Sequence, residues 1–262
     1  MIKKLFNIFF WMERKERAFV WLGVLSAFPV ICALFAQLAT PFLEGREIAV
    51  YHLFPAFNFF LYLHFLLPVF GIFAGNALIR EFAEKQTLVY LLMRPNPKWR
   101  LIVGRYLALA ACYGSVITVS LFLTYSILNI TSGFAWVEGF PVFFQSAGVL
   151  LLGLAAYLSL FGFLGTWMKK PIIFGLFFTF GWENFIASWP GSIKYFTIVH
   201  YLHSLFPTFF KTESIGLLKL IPQSFHLVHD GIAVTVLILL TIVFTGLSCL
   251  IFSEKEYGSE RG

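Results

Sequence analysis

Six long apolar runs are the feature that most constrains how this chain can fold. They cover approximately Phe19–Thr40, Pro55–Ile79, Leu101–Leu128, Val142–Met168, Pro171–Ser188 and Gly231–Phe252. A helix that crosses a bilayer needs about 20 mainly apolar residues. The pattern therefore predicts an all-α integral membrane protein with six transmembrane helices, in which residues 1–262 form a single transmembrane domain.

The low charge content excludes a soluble globular domain. Of the 262 residues, 59% are hydrophobic and 12% are charged, whereas a soluble domain carries about 25% charged residues. A surface this poor in charge must be covered by lipid. The cysteines Cys32, Cys112 and Cys249 all lie inside apolar runs, so they predict buried apolar side chains and no disulfide framework.

The positive charges predict the orientation in the membrane. Fifteen of the nineteen lysines and arginines lie in the N-terminal segment, in residues 80–105, at Lys169–Lys170 or in the C-terminal tail. Basic residues concentrate on the cytoplasmic side of membrane proteins. We therefore expect both termini to be cytoplasmic, in a multi-pass protein of the plasma (inner) membrane. These loops account for the net charge of +6, so it calls for no nucleic-acid partner.

Two segments outside the apolar runs have the period of amphipathic helices. In the first, residues 1–18, the apolar face is Ile2, Leu5, Phe6, Phe9 and Met12, and the polar face is Lys3, Lys4 and Asn7. This pattern predicts a helix that lies in the membrane interface.

The second amphipathic segment lies within residues 188–230, a long extracytoplasmic segment in the predicted topology. Its apolar face is Tyr195, Ile198, Val199, Leu202, Leu205 and Phe206, and its polar face is Lys194, Thr197, His200, Tyr201 and Ser204. We expect a helix that lies on the outer interface or dips into it.

Residues 80–100 interrupt the apolar chain with a strongly charged loop between the second and third predicted spans. Within the loop, residues 87–93 (TLVYLLM) are apolar but too few to cross a membrane, and Pro95 and Pro97 then end any helix. A solvated loop that only fixes topology would explain the charges. A short cytoplasmic helix with an apolar side, which is a docking element for a soluble partner, also explains the order of residues.

This loop resembles the signature of the membrane permease subunits of type-2 ABC exporters, the ABC-2 family. The matching residues are Glu81, Thr87, Leu91, Leu92, Pro95, Lys98 or Arg100, Gly104 and Arg105. Gln86 departs from the glycine that is usual in the family, and Arg105 stands where lysine is common. The six predicted spans, the cytoplasmic ends and the N-terminal helix also match.

The resemblance implies a permease that is not itself an enzyme. Two such subunits, either identical copies or paralogues, would pair in the lipid bilayer above two separate soluble ABC ATPase subunits. Those partners would bind ATP and Mg, and this chain, which has no G-x-x-x-x-G-K-[ST] motif, would hold no cofactor. The residues that would couple it to the ATPases are Glu81, Thr87, Leu88, Leu91, Leu92, Pro95, Lys98 and Arg100.

Two other classes of function stay open at this point. One is an ATP-independent carrier or channel, and the other is a membrane scaffold or assembly factor. Few ionisable residues lie inside the predicted spans, and His64 and Glu183 are the candidates for a translocation path. The alternatives are that His64 makes a hydrogen bond inside the bundle and that Glu183 is an interfacial carboxylate between Trp182 and Trp189.

Other local patterns give weaker hypotheses. His200 with His203, and His226 with His229, are pairs at i, i+3 spacing that could bind zinc or copper jointly. The alternative, which we favour, is that they are ordinary interfacial histidines, so we predict no metal. Gly71-xxx-Gly75 has the small-residue spacing of a close helix–helix contact.

Overall fold

Helices make up nearly all of the part of the chain that the structure describes. The structure is a computed structural model, and it describes residues 2–39, 53–84, 98–130, 139–168, 171–187, 192–206 and 228–254. The simple helices are α1 (Ile2–Glu13), α2 (Arg17–Ala39), α4 (Lys98–Asn129), α5 (Phe140–Trp167), α7 (Ile198–Ser204) and α8 (Asp230–Glu254).

In the described part of the chain, two helices contain a π-helical segment. The helix α3 consists of Leu53–Phe57, the π-helical Asn58–Leu66 and Leu67–Glu84. The helix α6 consists of Pro171–Leu176, the π-helical Phe177–Glu183 and Asn184–Ala187. A short 3₁₀ turn, Ser192–Phe196, precedes α7.

Among the residues that the structure describes, five helices are long and apolar enough to cross a membrane. They are Arg17–Ala39, Phe54–Leu78, Trp99–Asn129, Phe140–Trp167 and Asp230–Ser253. These helices confirm five of the six predicted spans within one all-helical membrane fold. The remaining one, predicted over Pro171–Ser188, is a shorter apolar helix.

The predicted glycine contact joins α3 to α5. A Cβ atom added at Gly75 would lie 2.6 Å from the Cβ of Phe161 and 2.7 Å from the backbone nitrogen of Gly162, and Gly71 lies against Tyr157 in the same way. Residues four apart on α3 thus meet residues four apart on α5, so the two helices run parallel. The prediction from the Gly71-xxx-Gly75 spacing is confirmed.

Polar contacts show that α3 and α4 are antiparallel neighbours. The hydroxyl of Tyr62 lies 2.8 Å from Ser120 Oγ and 2.8 Å from Thr124 Oγ1. Further along, Arg105 Nε donates a hydrogen bond of 3.1 Å to the carbonyl of Ala77. The end of α3 and the start of α4, which residues 85–97 connect, therefore lie side by side at one end of the bundle.

The amphipathic N-terminal helix packs against the start of α4 at that same end. Its Phe9 is 2% exposed, and Leu5, Phe6 and Met12 pack against the core, as the sequence predicts. The helix is shorter than the predicted segment 1–18: it ends at Glu13, and α2 begins at Arg17.

The helix predicted across the second amphipathic segment differs from the expectation. The chain is extended at Thr197 (φ −105°, ψ 138°), so only Ile198–Ser204 forms α7. All seven residues of α7 are buried, including those of the predicted polar face. Two of these polar groups find partners inside the protein instead of water: Tyr201 donates to the carbonyl of Tyr195 (2.9 Å), and Ser204 donates to the carbonyl of His200 (3.0 Å).

Candidate functional site

The structure places the two ends of the predicted coupling loop but not its centre. Glu81 belongs to the last turns of α3, and Lys98 is the first residue of α4. The Arg100 guanidinium, in the first turn of α4, lies 5.3 Å from the ring centroid of Trp99. The other predicted coupling residues lie outside the described residues: Thr87, Leu88, Leu91, Leu92 and Pro95.

A buried ion pair lies next to these loop ends. Arg105 Nη2 lies 3.3 Å from Glu13 Oε2, and both side chains are at most 2% exposed. Tyr113 donates a hydrogen bond of 2.8 Å to Glu13 Oε1. Since Arg105 also bonds to the carbonyl of Ala77, one charged cluster ties α1 to α3 and α4.

This cluster contains a residue that the sequence reasoning missed. Glu13 looks like part of a solvated charged turn, because Arg14, Lys15, Glu16 and Arg17 follow it. The available signal was its spacing, since Glu13 is four residues after the buried Phe9 and continues the same helix face. A buried carboxylate needs a charged or hydrogen-bonding partner, and Arg105 provides it.

At the other side of the bundle, His64 makes the internal hydrogen bond that the sequence predicts. Its Nδ1 lies 2.9 Å from the carbonyl of Phe59, and since a carbonyl only accepts, this nitrogen carries the proton. His64 Nε2 is then the acceptor for His203 Nε2, which lies 3.1 Å away. The partner residue, His203, belongs to α7.

Glu183 is fully buried inside the protein, at 0% exposure. Its Oε2 accepts a hydrogen bond of 2.8 Å from the Tyr157 hydroxyl, and its Oε1 accepts one of 3.0 Å from the backbone N–H of Val199. The neighbouring Trp182 is 54% exposed, and Trp189 lies outside the described residues. The aromatic side chain thus faces outward while the carboxylate turns inward.

Both candidate residues for a translocation path therefore contact the same short helix, α7. Each is also part of a π-helical segment, His64 in Asn58–Leu66 and Glu183 at the end of Phe177–Glu183. Such departures from α-helical geometry occur frequently at functional sites. The structure brings together two residues that lie far apart in sequence.

The position of α7 along α5 shows that it enters the bundle. Val199 lies at the level of Tyr157, because the N–H of Val199 and the hydroxyl of Tyr157 both donate hydrogen bonds to the Glu183 carboxylate. Leu202 rests on Gly153, where an added Cβ atom would come within 3.0 Å of its methyl groups. Closer to the start of α5, Gln145 Nε2 donates a hydrogen bond of 3.2 Å to the carbonyl of Leu205. The helix α7 thus runs alongside a membrane span without crossing the membrane itself.

Comparison with known proteins decides the family. The model of the family described as "ABC-2 family transporter protein" matches residues 12–257, which is nearly the whole chain. The chain belongs to the ABC-2 family. No curated protein sequence matches it. This ABC-2 permease is thus a multi-pass membrane protein of a family that is not itself catalytic.

The buried histidines of the permease favour the neutral form. Burial lowers the pKa of His203 well below its usual value, and positive charge on His64 or His200 would lower it further. Burial, together with the nearby Lys194, also lowers the pKa of His200. Among the described residues neither ring nitrogen of His200 has a hydrogen-bond partner.

The histidines do not assemble a metal site in the described part of the permease. Those residues contain no group of three or more histidine, cysteine, aspartate or glutamate side chains placed to hold a metal ion. His203 pairs with His64, whereas His229 accepts a hydrogen bond of 3.2 Å from the backbone N–H of Gly231. His226 lies outside the described residues. His203 and His229 thus make hydrogen bonds to protein groups.

Proposed function

We propose that this chain is the transmembrane permease subunit of an ATP-driven exporter. It would form the translocation path with a second copy or a paralogue, and separate soluble ABC ATPase subunits would bind ATP and Mg. The family match over residues 12–257 carries the proposal, because ABC-2 permeases generally pair with such ATPases.

In this proposal α6 is the fifth of six spans. It begins soon after α5 ends, and Leu205, just after α7, lies beside Gln145 near the start of α5. In this proposal α6 and α7 thus lead the chain to the opposite end of the bundle. Six crossings place both termini on one side, together with fifteen of the nineteen basic residues. The positive-inside rule makes that side cytoplasmic, and we expect the plasma (inner) membrane to be the location.

The ATPase contact is proposed at residues 80–100. The antiparallel pair α3 and α4 brings both ends of this loop together, so a force on the loop would reach two spans at once. The cluster of Glu13 and Arg105 would pass it on to α1, which we place in the membrane interface. Apolar residues in such a joint contribute about 25 cal/mol per Å² removed from water, while its charges mainly fix the register.

Purification of the tagged full-length chain from its native membranes tests this function. We expect a soluble ATPase with a phosphate-loop motif to co-purify with it. Leu91→Asp should remove the ATPase from the complex, because a charged side chain would replace an apolar contact, while membrane insertion stays unchanged.

The matched control is Leu91→Ile, which keeps the apolar volume and should retain the ATPase. A complex that lacks any ATPase in the wild type would instead favour the carrier, channel or scaffold alternatives. An ATPase that stays bound to Leu91→Asp, with its activity still coupled, would rule out this helix as the joint.

A further inference from the structure

The geometry points to His64 and Glu183 as positioning residues that hold α7 in a docked position, from which it is released once per transport cycle. This inference rests on the proposed function and adds a moving element to it. The helix α7 is a short amphipathic helix buried between spans, and its polar side chains are buried too, with His200 1%, His203 4% and Ser204 0% exposed.

Two side chains from different spans hold α7. From α6, Glu183 accepts the N–H of Val199 at the start of the helix (3.0 Å). From α3, His64 accepts from His203 Nε2 near the end of the helix (3.1 Å). A relative movement of α3 and α6 would therefore break at least one of the two contacts.

Each of these side chains is itself oriented by a second hydrogen bond. Tyr157 of α5 donates a hydrogen bond of 2.8 Å from its hydroxyl to Glu183 Oε2 and so orients the carboxylate. The carbonyl of Phe59 lies 2.9 Å from His64 Nδ1 and so fixes the tautomer of His64. Since the orienting groups belong to the spans, the acceptors stay in place when α7 leaves. The two acceptors, Glu183 and His64, are thus held by the spans themselves, and α7 can bind to them again.

One buried side chain, His200, destabilises the docked position of α7. The imidazole of His200 is buried without a hydrogen-bond partner among the described residues. A buried polar group left without a partner destabilises the state that buries it, and water would satisfy both nitrogens after undocking. Elements that move in function come from the less stable parts of a fold, and the unpaired imidazole of His200 is one feature that destabilises the docked state.

The test measures amide hydrogen exchange of residues 198–204 in the full-length chain, in lipid nanodiscs with its partner ATPase. Without nucleotide, we expect Glu183→Ala to speed exchange roughly 10- to 100-fold, the effect of leaving the buried N–H of Val199 without its acceptor. Glu183→Gln keeps an oxygen acceptor and should restore most of the protection.

The matched control is Tyr62→Phe. Tyr62 lies on the same π-helical segment as His64 and is buried, but its hydroxyl contacts Ser120 and Thr124 of α4 rather than α7. Exchange in α7 should stay at the wild-type rate in this variant. Equal acceleration by Glu183→Ala and Tyr62→Phe would show general loosening of the bundle and would overturn the positioning role.

The decisive comparison uses the wild-type complex alone, with and without ATP and Mg. A static structural contact predicts no change, whereas release predicts exchange in α7 at least about tenfold faster during turnover. A complex that hydrolyses ATP while α7 stays fully protected overturns the release. The lack of any ATPase in the complex would overturn the proposed function, and the release with it.

Discussion

At the scale of single residues, buried charges and imidazoles are expected to have partners, and two groups of this permease do, whereas neither ring nitrogen of His200 has a hydrogen-bond partner among the described residues. Glu13 meets Arg105 and Tyr113, and His64 meets His203. The sequence could predict that His64 makes an internal hydrogen bond, because it is an isolated histidine in an apolar run. It could not predict the partner, which is 139 residues away on another helix.

The buried pair of Glu13 and Arg105 gives a prediction at this scale. Glu13→Ala leaves Arg105 without its carboxylate, and breaking a buried ion pair by removing one partner costs about 3–5 kcal/mol. We expect a clear loss of stability in thermal unfolding of the purified chain in detergent, followed by tryptophan fluorescence.

The control for this experiment is Tyr113→Phe, which removes only the hydrogen bond to Glu13 and should cost about 1 kcal/mol. Glu13→Gln should fall between the two, because it keeps an acceptor for the tyrosine. A Glu13→Ala protein as stable as the wild type would show that the pair does not hold α1 on the bundle.

At the scale of helices, sequence reasoning succeeds where one local property decides the structure. Length and apolarity predict the five long spans, and the i, i+4 period predicts the buried face of α1. Sequence reasoning fails at α7, because an amphipathic period predicts a surface helix only if water covers its polar side. In the structure that side meets other helices, and long-range packing of this kind is not encoded in the local period.

The contact of α3 with α5 gives a prediction at the same scale. Gly75→Ala would place a methyl group 2.7 Å from the backbone nitrogen of Gly162, so the helices must separate, and we expect a loss of about 1–3 kcal/mol. Thermal unfolding of the purified variant measures it.

Gly148→Ala is the matched control, since an added Cβ at this position of α5 meets no atom within 4 Å. There the better helix propensity of alanine should leave stability unchanged or raise it by about 0.5–1 kcal/mol. Equal stability of the two variants would contradict the close approach of α3 and α5.

At the scale of the whole molecule, the cluster of Glu13 and Arg105 lies next to the ends of the charged loop, and α7 is docked from the other end. The composition and the loop motif were sufficient to predict the membrane class and the ABC-2 family, and the family match confirms both. The dock for α7 could not be predicted, since it is built from α3, α5 and α6 together. In the proposed exporter, the loop receives the ATP-driven motion and α7 responds to it.

Site-specific photo-crosslinking at position 91 tests the central claim most directly. A photoreactive amino acid in place of Leu91 in native membranes should form an adduct with a phosphate-loop ATPase, and one in place of Ile130, at the opposite end of α4, should not. An adduct only from position 130, or labelling of position 91 by a membrane-impermeant reagent from outside the cell, would contradict the account.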